Sequence, residues 1–73
     1  GYNMKYENNE QIAIELKKLM MDNKISQREI AKRMGIKPQG LTKILNKINF
    51  GFEDVQKILE LMGYEMIIEF KKL

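Results

Sequence analysis

From Gln27 to Asn46 the chain reads QREIAKRMGIKPQGLTKILN, and the spacing within this stretch decides the fold. Two short helices cross closely at a sharp turn only where particular positions obey particular sterics. Ala31 is small where a second helix must approach the first. Gly35 falls where the chain turns, and a residue just past a helix end often needs a positive φ that only glycine adopts without strain. Ile36, Leu41 and Ile44 follow Gly35 by one, six and nine residues, apolar where the second helix seals against the first. The pattern predicts two helices joined by a tight turn.

Start signals support it. Ser26 with Glu29 three residues later reads as a capping box, each side chain satisfying the other's free backbone N–H. The helix it opens, 26–34, turns Ile30, Ala31 and Met34 inward. The next begins at Lys37-Pro38, since proline suits the first helical position, where its φ is preset and its missing N–H is not needed. It runs to about Asn46, with Leu41, Ile44 and Leu45 inside and Gln39, Gly40, Thr42, Lys43 and Asn46 outside.

Working outward, a first helix is expected from about Glu10 to Asn23, capped by Asn8 or Asn9. Ile12, Leu16, Leu19 and Met20 lie on one face of it, while Ile14 and Met21 fall off that stripe. After a loop from Lys47 to Gly51, a fourth helix is expected from about Phe52 to Met62, burying Val55, Ile58, Leu59 and Met62 and ending at Gly63. The period then changes. From Tyr64 to Lys71 residues alternate, with Tyr64, Met66, Ile68 and Phe70 on one face, which predicts a strand over about 64–71. A lone strand leaves backbone groups unpaired along both edges. Its partner is either the Tyr2–Tyr6 segment or the same strand of a second copy, antiparallel about a two-fold axis. The expected architecture is one mainly α domain over residues 4–73, four helices and a C-terminal β-strand, with Gly1-Tyr2-Asn3 read as a cloning remnant.

Composition narrows the function. The chain has 73 residues and neither Cys nor His, which removes disulfides, thiolate chemistry, imidazole catalysis and nearly every zinc site. No cofactor is expected. Ser26 and Thr42 are the only hydroxyl nucleophiles besides tyrosines, so an enzyme is not expected either. No apolar run approaches the roughly 20 residues that span a bilayer, and the N-terminus lacks a signal-peptide pattern. A cytoplasmic protein is expected, and Lys in excess over Arg, with frequent Ile and Asn, fits an AT-rich bacterial or phage genome.

The net charge of +3 is unevenly placed. Residues 24–49 hold Lys24, Arg28, Lys32, Arg33, Lys37, Lys43 and Lys47 against Glu29 alone, seven cations to one anion, a net +6. The segments before and after are net negative, at −1 and −2. A lysine-rich face alone is commonly just a solvated surface. Coinciding with two crossed helices, it reads as a phosphate-binding surface. In a helix-turn-helix the second helix enters the major groove. That assigns Gln39 and Lys43 as base readers, through adenine N6/N7 and guanine O6/N7, with Thr42 on a thymine methyl or a phosphate. Gly40, which costs up to about 1 kcal/mol inside a helix, would let the backbone approach the groove. Gln27 at a helix start, Lys37, Asn46, Lys47 and Asn49 are expected on phosphates, while Ser26 is a cap and a possible further contact. For Asn46, ending its helix in a left-handed conformation is the competing role.

Ile25-Ser26-Gln27, Ile30-Ala31, Met34-Gly35-Ile36, Pro38-Gln39-Gly40-Leu41 and Ile44-Leu45-Asn46 together resemble the phage-repressor and Cro-like helix-turn-helix family, also called the xenobiotic-response-element family. The resemblance covers roughly residues 10–62. It implies a lambda-repressor-like domain, a transcriptional regulator acting as a dimer on palindromic double-stranded DNA, with Gln27, Gln39, Lys43 and Asn46 at DNA-contacting positions. The chain departs from the family at Lys37, where a small capping residue is usual, and at Lys47, where glycine often ends the helix. It departs again after Gly63, where the repressors continue into a fifth helix. Cro-like members that dimerise through a C-terminal strand make self-pairing of the tail a natural expectation. Regulation would come through protein level or a partner, since no sensor domain fits this length. The alternative is an antitoxin-type interaction module in which the tail and the off-stripe Ile14, Met21 and Ile67 bind a toxin.

Overall fold

The computed structural model describes residues 3–47 and 50–73. Its elements are α1 (Asn9–Asp22), α2 (Gln27–Met34), α3 (Pro38–Lys47) and α4 (Phe52–Leu61). Each lies within a residue or so of its expected bounds, the usual uncertainty of helix ends.

The start and stop chemistry is largely as expected. Asn8 is the cap of α1, its side chain accepting from the Gln11 N–H at 3.0 Å. Ser26 Oγ accepts from the Glu29 N–H at 3.0 Å. The reciprocal arm of that capping box is not made, because the Glu29 carboxylate turns to Arg33, 3.2 Å away. Gly35 holds φ +73°, and the N–H groups of Gly35 and Ile36 close α2 on the carbonyls of Lys32 and Ala31. Gly63, at φ +86°, ends α4 in the same way, with Tyr64 N–H donating to Leu59. Lys24 is unexpected: it takes the left-handed conformation at φ 55° after α1, a place where glycine is favoured. Asn46 lies inside α3 and has no positive φ, so the left-handed cap expected as its competing role is not formed.

The apolar stripes of all four helices meet in one core of Leu16, Met20, Ile30, Ala31, Leu41, Leu45, Val55, Ile58 and Met62. Ile30, Ala31 and Leu41 are completely buried, so the crossing of α2 and α3 rests on the small Ala31 as its spacing requires. Ala13 joins the buried set although the stripe reading passed it over. Ile36 seals less than expected and stays about a third exposed. Ile14 and Met21, off the stripe, are exposed.

The expected strand is absent: residues 64–73 carry no regular secondary structure, and the described residues include no strand anywhere. Asn3–Tyr6 does not pair with the tail. A strand is a ladder between two segments, and this chain supplies no second one. Of the alternating face only Met66 packs partly onto the core, while Tyr64, Ile68 and Phe70 are exposed. Tyr64 is tied to the body through its hydroxyl, which accepts from Asn23 Nδ2 at 2.9 Å.

Candidate nucleic-acid interface

The site is built on α3. Leu41 and Leu45 anchor one side of this helix in the core. Gln39, Thr42, Lys43 and Asn46 follow at i, i+3, i+4 and i+7, a spacing that puts them on one face, and all four are exposed. Gly40 is half-buried at the edge of this face, and Lys47 is exposed at the end of the helix. Lys37 precedes Pro38 with its side chain exposed, while its carbonyl accepts from Gly40 at 2.9 Å and Leu41 at 3.4 Å. The recognition candidates from the sequence are therefore gathered on one solvent-facing stripe. Asn49 lies outside the described residues.

The beginning of α2 adds a second patch. Ser26 fixes one N–H of the first turn, leaving the foremost N–H groups of the helix free to face an anion beside the half-buried Gln27. A shallow cleft of about 500 Å³ runs from Ser26 to Pro38 along Arg28, Lys32 and Lys37, joining the starts of α2 and α3 with three cations.

One member of the basic stretch is spent elsewhere. Arg33 pairs with Glu29 and donates from Nη1 to the carbonyl of Leu61 at 3.1 Å, capping the end of α4. It holds the fold together, and the single acid of the stretch goes with it. The sequence reading also passed over Lys17. It sits in the net-negative first third of the chain, yet its Nζ reaches Asn46 Oδ1 at 3.4 Å. No signal in the linear sequence marked it, because the two residues meet only once α1 packs beside the end of α3. The described residues hold no cluster of acidic side chains able to bind a metal, and none of their helices is long and apolar enough to cross a membrane.

Comparison with known proteins finds one family. A helix-turn-helix family model matches residues 16–67, more than half of the chain and the whole of α2, α3 and α4. No curated protein and no solved structure matches it.

Proposed function

Because the chain belongs to the helix-turn-helix family of Cro-like DNA-binding transcription regulators, we propose that it is a sequence-specific repressor acting as a homodimer on a palindromic operator. The observation that carries this reading is the division of α3 into a buried side, Leu41 and Leu45, and an exposed polar side of Gln39, Thr42, Lys43 and Asn46. In the major groove Gln39 bonds adenine through N6 and N7, and Lys43 donates to guanine O6 or N7. Thr42 meets a thymine methyl, and Gly40 permits close approach of the backbone. Ser26, Gln27, Lys37, Asn46, Lys47 and Asn49 hold phosphates and set the register of the helix in the groove. Tyr64, Met66, Ile68 and Phe70 form their strand with a second copy, which spaces two recognition helices roughly 34 Å apart.

Selection of bound sequences from random duplexes tests this. The expected result is an inverted repeat with half-site centres about one helical turn apart. Enrichment of a single half-site would remove the dimer, and no enrichment would remove sequence-specific recognition.

A second reading is supported by the exposure of Ile14, Met21 and Ile67, the last two with nearly four-fifths of their surface in solvent. In it, an antitoxin-type chain uses these residues to hold a toxin while α3 binds the operator of both genes. Co-purification of the product of a neighbouring gene favours it over self-pairing.

A further inference from the structure

The DNA surface read from the helix-turn-helix includes Gln27 at the start of α2 and Asn46 near the end of α3. Lys17, from outside that motif, lies between them. Its Nζ donates to Asn46 Oδ1 at 3.4 Å. Its side chain also lines, with Ser26 and Gln27, a second cleft of about 320 Å³ whose apolar wall is Met20, Met21 and Ile25. Lys17 is half-buried beside that wall, and a long cationic side chain can cover apolar surface while its head stays in water.

We infer that Lys17 completes a phosphate-binding corner with Gln27 and Asn46 and gripping one phosphodiester of the DNA backbone. This rests on the DNA-binding reading above and adds a residue to it. Three observations carry it. First, the ion pairs among the described residues are Lys18–Glu15 and Arg33–Glu29, so no carboxylate neutralises Lys17. Second, an ammonium has three donors, and Asn46 takes one, leaving two for an anion. Third, lysine only donates, so the Asn46 amide must turn its oxygen to Lys17, which points its NH₂ donors away from α1. Lys17 thus supplies charge and also orients Asn46. Gln27, at the start of α2 where the first N–H groups are free, lines the same cleft as Lys17, and Lys17 in turn reaches Asn46 of α3, so Lys17 links the two.

The test measures affinity for a selected duplex and a random duplex by fluorescence anisotropy over about 50 to 200 mM salt. The proteins are wild type, Lys17→Gln, Lys17→Met and Lys18→Gln. Lys17→Met keeps a long apolar side chain at the cleft should Lys17→Gln disturb packing, and a thermal melt of each variant verifies the fold. Lys18 is one residue away, more exposed and already paired with Glu15, which makes it the control for diffuse charge. Loss of one phosphate contact per protomer lowers the slope of log Kobs against log salt by about 0.9 for each protomer bound. Both Lys17 variants are expected to show this drop on both duplexes, since a phosphate contact carries no sequence information. Lys18→Gln is expected to keep the wild-type slope. A steep wild-type slope unchanged in the Lys17 variants would overturn the inference and leave DNA binding standing. An equal drop in Lys18→Gln would also overturn it, reducing Lys17 to general charge. A flat wild-type response would overturn both readings.

Discussion

Gly40 separates what the fold requires from what a groove requires. It sits in the first turn of α3, where glycine costs about 1 kcal/mol relative to alanine. Packing does not demand it. A Cβ built there meets only the Ile36 side chain at 3.8 Å, an ordinary van der Waals distance. The residue is therefore a local loss of stability with no compensation inside the molecule. Gly40→Ala is expected to raise the unfolding free energy by about 0.5–1 kcal/mol, several degrees in Tm for a domain of this size. It is also expected to weaken duplex binding, because the added methyl stands beside the recognition stripe. Thermal unfolding by circular dichroism and anisotropy titration read the two effects independently. A gain in stability at unchanged affinity takes Gly40 out of the interface. Lys24 is a comparable residue, strained at φ 55° where glycine would relax the turn after α1.

At the scale of elements, the helices were legible because their signals are local. Asn8, Ser26, Gly35, Pro38 and Gly63 each act through backbone groups a few residues away, and all five stand where those groups need them. The exposed stripe of α3 was legible for the same reason, since helical period alone separates Gln39 and Lys43 from Leu41 and Leu45. What could not be read was contact between elements. Arg33 counts with the DNA-facing cations by position, but the carbonyl that claims it, Leu61, lies 28 residues away. Lys17 and Asn46 are 29 apart. The tail strand failed differently. Alternation identifies two faces, but a ladder requires a second segment that the same sequence does not specify. The Arg33 assignment makes a prediction of its own. Arg33→Gln loses the Glu29 pair and the cap on α4, and is expected to cost about 1 kcal/mol of stability. The salt dependence of DNA binding should stay as in wild type, whereas Lys37→Gln, which removes a proposed phosphate contact, should make it shallower. A shallower slope in Arg33→Gln would return Arg33 to the phosphate surface.

The whole molecule measures 41 × 24 × 18 Å, with a radius of gyration of 12.4 Å against about 11 Å expected for a compact chain of this length. Its tail is the reason to expect a second copy. Ile67, Ile68, Phe70 and Leu73 are exposed beyond Tyr64, and their backbone has no ladder. In the dimer proposed above, a two-fold axis normal to an antiparallel ladder sets residues of equal parity opposite one another. Centred on Ile68, it places Glu65 against Lys71 and Met66 against Phe70, each twice by symmetry. Centred on Ile67, it opposes Glu65 and Glu69 twice; centred on Glu69, it opposes that residue to itself. Centred on Met66, it leaves only residues 64–68 to pair. Charge and apolar matching together favour Ile68, with cross-strand pairs of roughly 0.2–1 kcal/mol each. Glu65→Lys is then expected to shift the protein toward monomer in sedimentation at low salt, and adding Lys71→Glu is expected to restore the dimer by reversing both partners. A loss of dimer without rescue displaces the axis from Ile68. A wild-type monomer at micromolar concentration removes self-pairing altogether and transfers the exposed tail to the toxin-binding reading.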